Sequence, residues 1–395
     1  MSRILRSRTL RDALVFLAVA FIAVFLLSNP QEAINACRDG LQLCANVIVP
    51  SLFPFFVLSG LIVNLGMVRY LDRLFQPVMQ PLFGLSGACS AALALGMIGG
   101  YPIGARTALN LYESHQISKS EAERLLAFCN NCGPAFLFGV VGAGIFASGS
   151  IGFFLYLIHI LASLLIGMLL RLFRKPTQTQ SVYLRRSQAP AMRFPAAFTK
   201  AVKDGCTSTL NICSFIVCFT VLIRFAFLSG AMDACSAALS TLLQPIGVSQ
   251  SGAEALLVGM IEMSSGVWGL KDAAMSVSSK VVMAAFILGW AGLCVHCQVL
   301  SFTAESPLSV RPYLMGKFLH GAISALFVWV LYQFIPISQS ASSCYISQVS
   351  SICSTDFSAA LRSSTLTAGI VWGLVCLICL YFMKKSGSNR VRHRV

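Results

Sequence analysis

The chain has 395 residues, 56% of them hydrophobic and only 11% charged, with a formal net charge of +15. Soluble domains carry about 25% charged residues, so this composition excludes a soluble globular enzyme, and the mean hydropathy of +0.77 predicts an all-α polytopic membrane protein. The basic surplus gathers beside apolar runs, where topology alone would place it, so the expected partner is the lipid bilayer and not nucleic acid.

Arg3, Arg6, Arg8 and Arg11 precede the first apolar run, 13–27. This start resembles a signal peptide, but no A-x-A-like site follows; "SNPQEA" comes next, which predicts a retained signal-anchor helix. Further spans are predicted at 49–63, 151–170, 212–228, 281–297, 318–334 and 366–383. Each is close to the roughly 20 residues that cross ~30 Å of hydrocarbon. Shorter apolar stretches, 86–98, 134–147 and 253–263, read as half-helices or weak spans. Arg171, Arg174, Lys175, Arg185, Arg186 and Arg193 form a central basic linker, and Lys384, Lys385, Arg390, Arg392 and Arg394 a basic tail, whereas 336–360 has no Lys or Arg. The positive-inside rule puts both termini and the linker in the cytoplasm and 336–360 outside. Of the fifteen cysteines, Cys344 and Cys353 share that outer loop, where a disulfide and free thiols are both open.

The chain repeats itself at an offset of 165: "ACRDGLQLCANV" (36–47) lies over "AVKDGCTSTLNI" (201–212), matching at Ala36/Ala201, Asp39/Asp204, Gly40/Gly205 and Asn46/Asn211. The same register lays Arg106 over Lys271, and Cys129 and Cys132 over Cys294 and Cys297. A small shift pairs His159 with His320. Combined with the charge bias, the first repeat begins outside and the second inside, so the two are inverted, an arrangement typical of secondary transporters whose substrate site lies between the repeats. The predicted organisation is 1–32 (basic N-terminus and first helix), 33–173 (repeat one), 174–196 (linker), 197–335 (repeat two), 336–360 (Ser-rich outer loop) and 361–395 (last helix and tail).

"GMIGGYPIGARTALNLYESH" (96–115) breaks an apolar run at Gly99-Gly100-Tyr101-Pro102 and restarts with Arg106 on its first turn. Irregular backbone is tolerated in a bilayer only where protein or a water-filled cavity satisfies it. The restarted helix aims free N–H groups and a positive dipole end inward. Its counterpart, "MSSGVWGLKDAAM" (263–275), carries Ser264, Ser265 and Lys271, so Arg106 and Lys271 together suit a dianion; the alternative is that both snorkel to the interface. "AFCNNCGPAFLFGVVGAGIF" (127–146) puts Asn130 and Asn131 between two apolar arms, and these amides can both donate and accept. Its partner, "GWAGLCVHCQV" (289–299), offers His296 and Gln298. Glu262 stands in an apolar run as a coupling group or an ion-pair partner for Arg106 or Lys271. His159 and His320 lie mid-span, as proton carriers or as structural histidines. The two C-x-x-C pairs sit in membrane-like sequence and not in a hydrophilic knuckle, so no metal and no cofactor is expected.

"GGYPIGA", "ISKSEAERLLAFCNNCGPAFLFGVVGAGIF" and "GWAGLCVHCQV" together resemble the sporulation integral membrane protein family, within the nucleoside-recognition (Gate) superfamily, over roughly 33–335. The resemblance implies a carrier moving dipicolinic acid from the mother cell across the outer forespore membrane during endospore formation. It makes Gly100, Tyr101, Arg106, Asn130, Asn131, Ser264, Ser265 and Lys271 substrate-binding candidates, with Glu262 and His296 for coupling or ion pairing. Cys132 departs from the family pattern, where serine is expected. The alternatives are a carrier for nucleosides or other small solutes and a non-transporting membrane scaffold; self-association is compatible with each. No G-x-S-x-G, H-E-x-x-H or Walker A motif supports an enzyme.

Overall fold

The computed structural model describes residues 2–134, 136–172 and 192–334. Cys344 and Cys353, the outer loop, the last helix and almost all of the linker lie outside the described residues. The described residues form helices and turns without a β-strand, an all-α polytopic architecture. Four helical segments are long and apolar enough to cross a membrane: Gly149–Leu172, Phe194–Leu228, Val277–Thr303 and Arg311–Leu331.

The first repeat opens after α1 (Ser2–Ser28) with α2 (Pro30–Leu43), a π-helical turn at Cys44–Ile48, and α3 (Val49–Asn64). The chain then bends by 91° into α4 (Val68–Phe83). That helix buries Val68, Phe75, Met79 and Phe83 along one stripe and leaves Arg69 and Arg73 exposed, the pattern of a helix lying along a surface. Next come α5 (Ser90–Gly99) and α6 (Ile103–Glu113). They do not continue one another; they fold back as a hairpin, because Gly96 and Gly104 let the two arms touch. A Cβ on either glycine would strike the carbonyl of Cys129, which lies in the cleft between the arms. α7 (Lys119–Cys129) breaks at Asn130–Gly133 and resumes as a π-helix, Phe136–Ile145, and α8 (Gly149–Leu172) ends the repeat.

The second half runs through a similar order of elements, with one long helix in place of α2, the π-helical turn and α3. α9 (Phe194–Leu228) and the peripheral α10 (Ala231–Leu243) are followed by a second hairpin of α11 (Gln250–Ile261) and α12 (Met263–Gly269), whose arms meet at Gly259 and Gly266. α13 (Val277–Trp290) breaks at Ala291, α14 (Gly292–Thr303) continues the span, and α15 (Arg311–Leu331) closes the repeat. The stretches read as half-helices or weak spans at 86–98 and 253–263 are therefore arms of re-entrant hairpins, and 281–297, read as one unbroken span, holds a break.

Packing between the repeats is reciprocal. α7 packs on α15 as α13 packs on α8, and α6 packs on α14 as α12 packs on the π-helix Phe136–Ile145.

Candidate functional site

Each hairpin tip rests on a span break. In the first crossing Gly100 has φ +84°, and a Cβ there would come within 2.8 Å of Gly133 N, so only glycine fits the approach. The foot of this hairpin is held by side-chain acceptors: Ser86 N donates to Glu121 Oε1 (2.8 Å), Gly87 N to Gln76 Oε1 (2.5 Å) and Ala88 N to Asp72 Oδ1 (2.9 Å). In the second crossing Ala291 and Gly292 take φ of +76° and +78°. A Cβ on Gly292 would stand 3.0 Å from Met263 N and 3.1 Å from the Ile261 and Gly259 carbonyls. The break in α13–α14 is thus made by the tip of the second hairpin pressing on the span.

Tyr101 ties the two crossings together. It projects from the first tip and its hydroxyl donates to the Leu288 carbonyl (3.1 Å) beside the second break, with Met263 Sδ at 3.3 Å. At the second tip the buried Glu262 caps α12: its two carboxylate oxygens accept from Ser264 N (2.9 Å) and Ser265 N (2.7 Å). Among the described residues it forms no ion pair with Arg106 or Lys271, one of the two roles the sequence left open for it.

At the centre the buried groups form a chain. Cys132 N donates to His159 Nε2 (2.9 Å). His320 Nε2 faces the His159 carbonyl at 2.9 Å, and Lys317 Nζ lies 3.2 Å from His320 Nδ1 and donates to the Asn130 carbonyl at 3.0 Å. The partners assign the tautomers: a carbonyl only accepts, so His320 carries its hydrogen on Nε2, and His159, accepting at Nε2, carries its own on Nδ1. In this arrangement both rings act as hydrogen-bonding members of the core. A second branch runs through Tyr313, whose hydroxyl lies 2.9 Å from His296 Nδ1 and close to Asn130. Among the described residues several buried polar atoms here make no close hydrogen bond: both amide atoms of Asn130, which the Tyr313 side chain only approaches, Oδ1 of Asn131 and Nε2 of His296. Buried polar groups are nearly always satisfied, so these atoms are exceptions within the core.

Asn130, Asn131, Gly100, Tyr101, Glu262 and His296 are therefore gathered at or beside the two crossings. The backbone of Ser264 and Ser265 is there too, although the Ser265 side chain is exposed. The two cations are not brought together. Arg106 is half-buried on the first turn of α6, with its guanidinium carbon 5.3 Å from the Phe302 ring at the end of α14. Lys271 is exposed past the end of α12, its Nζ 5.2 Å from the Trp268 ring, and its carbonyl accepts from Lys280 near the start of α13. The pair thus lies towards opposite ends of the span α13–α14. Both cations lie beyond the tips on arms that lead away from the crossings, and the offset of 165 that aligned them lays Gly100 over Ser265, whereas the second tip falls at Glu262. The cysteine pairs stay apart as well; among the described residues no three His, Cys, Asp or Glu side chains are placed to hold a metal ion.

The residue missed in the sequence is Lys317. It is fully buried in "PYLMGKFLHG", one position before the predicted span 318–334, and so reads as a flanking charge. Its spacing of three from His320, on one helix face, was the available signal.

A family model described as Gate, nucleoside recognition, matches residues 45–149. In fold the chain is similar to CNTnw in an inward-facing substrate-bound state (16% identity, 81% of this chain and 86% of that one, TM-score 0.45). It is likewise similar to a doubly substituted CNTnw in an outward-facing state (15% identity, 82% and 87%, TM-score 0.48). The sporulation integral membrane protein YlbJ of Bacillus subtilis (strain 168) is 31% identical over 335 residues, which is 79% of this chain and 81% of that protein. On that match, the chain belongs to the YlbJ family of sporulation integral membrane proteins.

Proposed function

We propose that this protein is a membrane carrier for a small organic anion, and that its substrate is dipicolinate, moved out of the mother cell across the outer forespore membrane. The observation that carries the reading is the double crossing: two hairpin tips resting on two broken spans, with unpartnered amide and imidazole atoms buried between them. Discontinuous helices at a repeat interface are how secondary transporters build a solute site while keeping their backbone groups satisfied. The amino end of α6 opens at the first tip, so its dipole favours negative charge there, and Arg106 adds a cation one turn beyond. Lys271 and Lys280 stand at the opposite mouth as attracting charges, and Glu262, Ser264 and Ser265 shape the second tip.

We read the topology as inverted with cytoplasmic termini, an arrangement that suits alternating access. Met192 N bonds to the Asn64 carbonyl and Ser309 N to Glu123 Oε1, drawing the ends of α3, α7 and α14 towards the linker side. Arg224 bonds to Glu32 from the other end of α9. A nucleoside is the second reading, favoured by the free Asn130 and Asn131 amide atoms, which match the edge of an uncharged base as well as a ring nitrogen. Expression in a sporulating host that lacks its own relative of this chain tests the proposal: spore dipicolinate should return to the parental level. Spores that remain without it while the protein is present in the membrane would count against the proposal.

A further inference from the structure

Lys317 is a charged side chain with no exposed surface and only neutral partners around it. From its own helix come His320 and Tyr313; α7 and its break supply the Asn130 carbonyl and the thiols of Cys129 and Cys132. From the first hairpin tip comes the Tyr101 ring, whose centroid lies 5.5 Å from Nζ, from α8 the ring of His159, tilted against that of His320, and from α14 His296. Among the described residues no carboxylate lies within ion-pairing distance. Glu262, the acid closest to the crossings, is occupied by the two N–H groups that it caps. A lysine buried among neutral acceptors either gives up its proton or is joined by a negative charge, and nothing in the described chain supplies that charge.

We propose that Lys317 is the cation that receives a carboxylate of the transported solute, beside the break at Asn130–Gly133. The inference rests on the carrier reading and moves the anion's main contact from Arg106 and Lys271 to a residue on α15. The chemistry around it suits an aromatic acid: the rings of Tyr101, Tyr313 and His296 are gathered there, and the Asn130 amide and His296 Nε2 are the buried polar atoms left to bond its remaining polar groups.

Calorimetric binding to the full-length protein in detergent tests this, with dipicolinate, picolinate and uridine as probes. Lys317→Met keeps the side chain's length and removes its charge. It should weaken dipicolinate and picolinate about 10- to 100-fold, the loss expected of one charged hydrogen bond, and leave uridine unchanged. Lys317→Arg should stay within about tenfold of the wild type, because the cation remains; it becomes the deciding variant if Lys317→Met is not recovered, and a folded Lys317→Arg protein that binds no carboxylate overturns the assignment. Wild-type affinity for dipicolinate in Lys317→Met overturns it too, as does a wild type that binds neither carboxylate. Flux in proteoliposomes separates the two claims. Equal dipicolinate flux with and without Lys317 removes the inference and leaves the carrier reading standing. Lys317-dependent binding without any flux supports the site and removes the carrier reading.

Discussion

The imidazole rings of His159 and His320 lie 4.2 Å apart between centroids, and His320 Nε2 donates to the His159 carbonyl at 2.9 Å. One comes from each repeat, on helices α8 and α15, so the contact marks where the two like units meet. His320 also accepts from Lys317, so it positions that ammonium as well as joining the repeats. His320→Ala would leave a buried carbonyl and a buried ammonium each short of a partner. Losses of about 1–3 kcal/mol per unsatisfied group are typical, so the midpoint of thermal denaturation in detergent should fall by several degrees. His320→Gln, whose amide also donates and accepts, should recover most of that loss. Equal midpoints for the alanine variant and the wild type would show that the chain of bonds is not structural.

Gly100 is the second point of test. Its φ of +84° and the approach of Gly133 N leave no room for a side chain. Gly100→Leu should reach the membrane and fail to transport, because the tip can no longer rest on the break. Backbone held in such a region costs about 1–3 kcal/mol for a non-glycine residue, before the clash is counted. Normal transport by Gly100→Leu would mean that this crossing is not part of the route.

Glu262 caps a helix of only seven residues, so its carboxylate decides whether the second tip is ordered. Glu262→Gln keeps one acceptor and turns an N–H towards the other backbone donor. Hydrogen bonds to charged groups contribute about 1.5–3 kcal/mol, and the thermal midpoint should drop accordingly. Glu262→Asp should hold closer to the wild type, since aspartate is a preferred N-cap. If Gln and Asp behave alike, the carboxylate acts elsewhere than at the cap, and a coupling role gains ground.

Topology can be read at two exposed turns. His115 lies between α6 and α7, and Asp272 between α12 and α13, the equivalent place in the other repeat. In inverted repeats these turns face opposite sides. With cysteine placed at each in a cysteine-depleted background, an impermeant maleimide should label position 272 in intact cells and position 115 only after lysis. Labelling of both from one side would remove the inversion.

Much of this architecture was legible in the sequence, and the failures have physical causes. Gly-Gly-Tyr-Pro announced the first break because both glycine and proline interrupt a helix locally, and Asn130–Gly133 did so for the same reason. Ala291 gave no such warning. Its positive φ is imposed by the second hairpin tip packed on Gly292, a tertiary cause that no local window contains. Hydropathy found the apolar arms of both hairpins but not their folding back, which depends on Gly96 with Gly104 and Gly259 with Gly266. Arg106 and Lys271 were aligned by a register that slips where the second hairpin turns early, at Glu262. Lys317 escaped notice because it stands one residue outside an apolar run, although its helix begins earlier, at Arg311.

The central claim is that a small organic anion passes through the crossing of hairpin tips and broken spans. The most direct test is uptake of labelled dipicolinate into proteoliposomes holding the purified full-length chain, with labelled uridine as the control solute. Saturable dipicolinate uptake, competed by unlabelled dipicolinate and not by uridine, is the result expected. Uptake of uridine with no uptake of dipicolinate would contradict the anion reading and favour the nucleoside one, and liposomes that take up neither solute beyond the protein-free background would contradict the carrier account itself.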